Sequence, residues 1–89
     1  MSIYNGLIQV TGLRKSIKGT TEKYDLHLNP LYIKAIYINT NYLNSNGQSG
    51  SLLVTSNDVE YPCDEHPEDV CAKIIAVEKA SGTENNKHF

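Results

Sequence analysis

The chain has 89 residues, 39 % of them hydrophobic and 20 % charged, with a net charge of −2. That suffices for one small core and excludes a long buried cleft between two domains. The negative balance argues against holding a nucleic-acid backbone by bulk attraction, so nucleic acid is not an expected partner.

Residues 7–13 (LIQVTGL) alternate as a strand, with Ile8 and Val10 on one face and Leu7, Gln9 and Thr11 on the other. A polar connection follows over residues 14–21, with Gly19 near its end. Residues 22–28 (EKYDLHL) alternate again. Tyr24, Leu26 and Leu28 point inward and Lys23, Asp25 and His27 outward, the pattern of a half-buried antiparallel strand. These two strands are expected to pair as a hairpin. Asn29-Pro30 suits a cap followed by a first helical position, so residues 30–33 read as a short turn. Residues 34–39 (KAIYIN) read as a third strand with Ile36 and Ile38 facing the core.

Residues 40–50 are rich in turn formers, and Asn46-Gly47 is a strong hairpin-turn signal. The expectation is a wide loop or an extended hairpin tip carrying Tyr42 and Leu43. Residues 51–55 form a fourth strand, residues 56–58 turn the chain, and residues 59–63 (VEYPC) form a fifth. Pro62 lacks a backbone donor, which places that part at a sheet edge or at a strand end. Residues 67–80 (PEDVCAKIIAVEKA) form a helix: Pro67 fits the first position, and Glu68 and Asp69 suit the positive end of the dipole. Val70, Ile74 and Val77 make an apolar stripe, widened by Cys71 and Ile75. Ser81-Gly82 is expected to end it, with Gly82 as a left-handed cap.

Strands first and one helix last give a small α+β domain: an antiparallel sheet of about five short strands, with one C-terminal amphipathic helix packed on one face. Residues 1–82 form this single domain, and residues 83–89 a flexible tail from which only Phe89 could dock. The other sheet face is not purely polar, since Leu7, Leu13, Leu31, Tyr32, Ala35 and Tyr37 have no evident cover. Such a layer pair is marginal at this size, so a homo-oligomer formed through that face or an edge strand is expected. Leu31, Tyr32, Tyr37 and Leu43 are the expected interface residues.

Charge is uneven. Residues 1–40 carry five basic against two acidic residues (+3), and residues 41–89 carry three lysines against eight acids (−5). Arg14, Lys15, Lys18 and Lys23 cluster around a loop that also offers Ser16, Gly19, Thr20 and Thr21. Backbone amides, hydroxyls and a guanidinium together suit phosphate, and a tyrosine such as Tyr42 suits stacking on a base. Arg14, Lys15, Ser16, Lys18, Thr20, Lys23 and Tyr42 are therefore the candidate site for a small phosphorylated ligand, a nucleotide or cyclic nucleotide, held at a subunit interface.

Cys63, His66 and Cys71 lie close together, but a structural zinc site needs four ligands, and no metal or cofactor is expected. Cys63 with His66 is the nearest approach to a nucleophile and its base. The carboxylates at Asp64-Glu65 and Glu68-Asp69 read as helix N-terminal charge. There is no GxGxxG, Walker loop, HExxH or GxSxG pattern. The expectation is a non-catalytic module that modulates or inhibits a protein partner. The start Met1-Ser2-Ile3-Tyr4-Asn5-Gly6 lacks the pattern of a secretory signal, and no apolar run approaches the roughly 20 residues that span a bilayer. A cytoplasmic location without a membrane partner is expected. The abundance of Asn, Ile, Lys and Tyr suits an AT-rich genome, that of a low-GC bacterium or of a phage acting in its host's cytoplasm.

The run Leu28-Asn29-Pro30-Leu31-Tyr32-Ile33 followed by Ile36, then Val59-Glu60-Tyr61-Pro62-Cys63, Asp64-Glu65-His66-Pro67-Glu68-Asp69-Val70 and Ile74, resembles the small FlbD-like proteins. The similarity covers roughly residues 7–77, mostly at turn formers and core apolar positions. The loops at 14–21 and 40–50 are longer here, and Pro62-Cys63 stands where that family has a hydrophobic strand residue. The resemblance implies a compact non-enzymatic module, associated with flagellar operons and also met in phage genomes. It carries over no catalytic residue.

Overall fold

The computed structural model describes residues 6–86, and the side chains of residues 6–79. In chain order the elements are β1 (Ile8–Lys15), β2 (Thr21–Leu28), a 3-10 turn (Pro30–Tyr32), β3 (Ile33–Leu43), β4 (Ser49–Thr55), β5 (Glu60–Cys63) and α1 (Pro67–Asn86). The strands form one antiparallel sheet in the order β2-β1-β5-β4-β3, and α1 packs against β1, β3 and β4. This is the small α+β arrangement that the strand and helix patterns predict.

Local chemistry sets each connection. The β1–β2 hairpin closes where the Ser16 N–H donates to the Thr20 carbonyl at 2.8 Å and the Gly19 N–H to the Ser16 carbonyl at 3.0 Å. Gly19 sits at φ +83, a left-handed geometry open to glycine without a Cβ clash. The Asn29 side chain accepts from the Leu31 N–H at 3.0 Å, and Pro30 follows at the first position of the 3-10 turn. The segment read as a loop or hairpin tip is a hairpin whose strands run on to Leu43 and resume at Ser49. At its tip the Asn44 carboxamide oxygen accepts from the Asn46 and Gln48 N–H groups at 2.9 and 3.1 Å. An Asn side chain thus stands in for the missing ladder bonds.

The core lies between the sheet and α1. Ile8 and Val10 of β1, Leu53 of β4, Cys63 of β5 and Val70 of α1 are fully buried, with Leu26, Leu28, Ile33, Ile36, Tyr61, Ile74 and Val77 packed around them. Each fully buried aliphatic side chain contributes about 1.5–3 kcal/mol by leaving water. The helix stripe is narrower than the sequence suggests. Val70, Ile74 and Val77 face the sheet, but Cys71 and Ile75 are exposed. The sheet presents one ridge of partners, and residues one position off the stripe turn past it.

Three further expectations are corrected. The helix does not end at Ser81-Gly82 but continues to Asn86, so residues 83–86 are helical, while residues 87–89 with Phe89 lie outside the described residues. A glycine inside a helix costs only about 1 kcal/mol, which does not by itself break the ladder. Ile38 is 57 % exposed, because it sits on the edge strand beyond the core. Leu13 is not uncovered: it is 7 % exposed, on the face away from the helix.

Pro62 lies next to the end of β5, and β5 is a central strand. The ladder accommodates it by alternation. The Thr55 N–H donates to the Val59 carbonyl at 2.9 Å, so every second residue onward, Tyr61 and Cys63, turns its backbone to β4. Pro62 turns its donor-less nitrogen the other way. On that side β5 meets β1 through a single bridge, Gly12 with Cys63.

Candidate functional site

The seam between β1 and β5 is completed by the residues that follow β5. The Asp64 N–H donates to the Thr11 carbonyl at 2.9 Å. The Thr11 N–H has no strand partner left and donates to both carboxylate oxygens of Glu65, at 2.9 Å each. The Glu65 carbonyl accepts from the Ser51 hydroxyl at 2.5 Å, and the Asp64 carbonyl accepts from the Asn44 carboxamide at 3.1 Å. The Asp64 carboxylate accepts the Tyr42 hydroxyl and stands 3.6 Å from the Lys23 ammonium. His66 Nδ1 lies 2.9 Å from the Ser49 carbonyl, and the His66 carbonyl receives the first amides of α1 from Asp69 and Val70 at 2.9 and 3.1 Å. Residues 64–66 therefore join four strands and the helix. This close approach needs a glycine opposite: a Cβ on Gly50 would overlap the Cys63 carbonyl and lie 2.9 Å from the Tyr42 ring.

Two groups here hold their protons tightly. The hydrogen bond to Asp64, then burial and the charges of Asp64 and Glu65, push the Tyr42 hydroxyl up to about 12. Burial, and then the Glu65 charge, push the Cys63 thiol up to about 12. That thiol points at the Tyr61 carbonyl at 3.4 Å, while the His66 ring is engaged with Ser49. The Cys63–His66 couple considered from spacing is thus not assembled. Among the described residues, no three His, Cys, Asp or Glu side chains stand together for a metal, and no buried side-chain nitrogen or oxygen lacks a partner.

The candidate ligand residues divide into three places. Arg14, Lys15 and Tyr42 line one open cleft of about 440 Å3, with Leu13 and Pro62 as apolar lining and Thr21, Asn39 and Asn41 as polar neighbours. Ser16, Lys18 and Thr20 line a separate hollow of about 570 Å3 beside the hairpin turn, together with Lys15 and Glu22. Lys23 belongs to neither; it faces Asp64. Arg14 is partly engaged: its Nε lies 3.3 Å from Glu22, and its guanidinium carbon is 5.2 Å from the centre of the Tyr24 ring. The same ring covers Gly12, its cross-strand partner, where a Cβ would collide with it. Among the described residues Lys15 and Lys18 have no acidic partner within 4.0 Å.

The expected interface residues all lie exposed along the β3 side. Leu31 (83 %) and Tyr32 stand before the strand, Tyr37 (57 %) within it and Leu43 (65 %) at its far end, and Ile38 joins them. Sequence reasoning missed Glu65, Ser51, Asn44 and Gly50. The sequence offers only small residues at 49–51 and a polar run at 64–66, with nothing to say that the two meet. Compared with family models, with curated proteins and with solved structures, the chain finds no match.

Proposed function

We propose that the chain is a small non-catalytic binding module that associates with itself and modulates or inhibits a protein partner. The observation that carries this reading is the set of exposed apolar side chains, Leu31, Tyr32, Tyr37, Ile38 and Leu43, gathered along the β3 edge of the sheet, with Tyr37 and Ile38 on its opposite faces. Large exposed apolar groups gathered together mark an interaction surface more often than scattered ones do. A second support is that Cys63 and His66 make no attacking couple: the buried thiol is pushed up to about 12 and turned to Tyr61, and the imidazole is engaged with Ser49. The FlbD-like resemblance agrees with a non-enzymatic role, and a cytoplasmic setting, in a bacterium or a phage-infected host, belongs to the same reading. Light scattering coupled to size exclusion tests it: an oligomer at micromolar concentration is expected, and a strict monomer overturns self-association.

A second reading is favoured by one specific observation. Arg14, Lys15 and Tyr42 line one cleft with two asparagines, a threonine and an apolar lining. Those groups suit a nucleotide or cyclic nucleotide: cations for phosphate, carboxamides for base edges, and a ring with Pro62 and Leu13 for a base face. This reading expects a thermal shift with such ligands that Arg14→Ala plus Lys15→Ala removes. Absence of any shift across a nucleotide panel overturns it.

A further inference from the structure

We propose that the outer edge of β3 pairs with β3 of a second copy of this chain, as an antiparallel two-fold ladder centred on Tyr37. The proposal rests on the self-association reading above and gives it an edge, an occupant and a register.

Backbone alternation supplies the first ground. The Thr55 N–H turns to Val59, so the backbone groups of Val54 and Leu52 turn to β3. Their partners there are Ala35 and Tyr37. Ala35 and Tyr37 therefore commit their N–H and C=O groups to β4, and Ile36 and Ile38 turn theirs outward, where no strand of the described residues lies. In a two-fold ladder centred on Tyr37, Ile36 of one copy stands opposite Ile38 of the other. These are the residues whose donors and acceptors point across, so each copy satisfies the other's edge.

Side chains supply the second ground. That register gathers Ile36 and Ile38 of both copies on the helix face and sets the two Tyr37 rings side by side on the opposite face. Ile38 and Tyr37 are each 57 % exposed in the single chain, and both gain cover. The antiparallel sense also brings Leu31 and Tyr32, before one β3, near Leu43 at the end of the other.

Charge supplies the third ground, because nothing on β3 repels a second β3. The eleven residues of β3 carry one charge, Lys34, already paired with Asp58. In the proposed register Lys34 faces Thr40 of the second copy, so no like charges meet. The other edge strand, β2, carries Glu22, Lys23 and Asp25 within eight residues, the pattern that blocks edge pairing.

The test is light scattering of the full chain at tens of micromolar, with circular dichroism of each variant. A dimer is expected for the native sequence. Ile38→Lys, which charges the edge, and Ile38→Pro, which removes an outward donor and leaves the inner ladder, should each halve the mass while the spectrum stays native. Asp25→Lys on β2 should leave the dimer intact. Tyr37→Cys in a Cys71→Ser background should form an intermolecular disulfide on oxidation, since directly opposed residues of this class lie close enough for one. A monomeric native chain overturns the self-association reading together with this proposal. A dimer that survives both folded Ile38 variants overturns the β3 edge alone. A dimer that Ile38→Lys abolishes, but that Tyr37→Cys does not cross-link, overturns the register.

Discussion

The hairpin turn at residues 16–20 and the short polar run at residues 64–66 make an instructive pair. Both are small, polar and close to β1. The turn carries Lys18, is flanked by Arg14 and Lys15, and stays largely in solvent; its contacts are within itself, and Arg14 beside it meets Glu22. The polar run has the opposite economy. Glu65 takes up an orphaned amide of β1, Asp64 engages Tyr42 and Lys23, and backbone carbonyls of the run receive Ser51 and Asn44. Charge density does not separate the two, since Asp64 and Glu65 stand as close in sequence as the basic residues around the turn; the architecture is tied where the charges meet directed partners. Exposed ion pairs are worth little because solvent screens them, while a half-buried amide left without its acceptor is expensive.

Substitutions test this contrast in graded fashion. The largest effect is expected at Gly50, where a methyl group meets the Cys63 carbonyl. Gly50→Ala should cost about 3 kcal/mol in a urea titration, since backbone on both sides has to move. Glu65→Ala strips the Thr11 amide of its acceptor and should cost about 2 kcal/mol in the same measurement. A value near zero there would place the run on the same footing as the turn. Alkaline pH comes next. Tyr42 and Cys63 both bind their protons more tightly folded than unfolded. Their contribution is therefore complete below the ordinary thiol and phenol values, about 9 and 10, and is lost as pH rises toward about 12. Denaturant midpoints should fall between pH 8 and pH 11, and Tyr42→Phe should show a smaller fall. The smallest effect belongs to the turn: Arg14→Ala breaks an exposed pair and should change stability by less than about 1 kcal/mol.

Much of the fold is legible in the residues themselves. The alternation Tyr24, Leu26, Leu28 gives β2 its face, and the spacing of Val70, Ile74 and Val77 gives α1 its contact line. The order of strands in space is less legible. Pro62 argues for an edge or a strand end; it stands next to the end of a central strand, because one backbone nitrogen can face a seam with a single bridge. Ile38 and Ile75 show the limit of periodicity: a pattern reports which side a residue faces, not whether the covering element reaches that far. At the candidate sites, charge counting brought Arg14, Lys15 and Tyr42 to one cleft but could not separate Lys23, whose partner Asp64 is distant in sequence. In sequence Glu65 reads as dipole compensation for α1, because its partner, a main-chain amide of β1, has no signature there.

The single bridge between β1 and β5 bears on how the chain assembles. The β1–β2 and β3–β4 hairpins, with β5 added to β4, join neighbours in sequence and can form early. The Thr11–Glu65 contact unites residues 54 positions apart, so its loop closes late and at greater entropic cost. The two halves should thus reach near-native shape before they meet, with the meeting as the slow event. In stopped-flow kinetics Glu65→Ala should then slow refolding and barely alter the unfolding rate, because the contact is made in the rate-limiting meeting; an unfolding rate raised in full proportion to the lost stability, with refolding unaltered, would mean that the contact closes only after the halves have met.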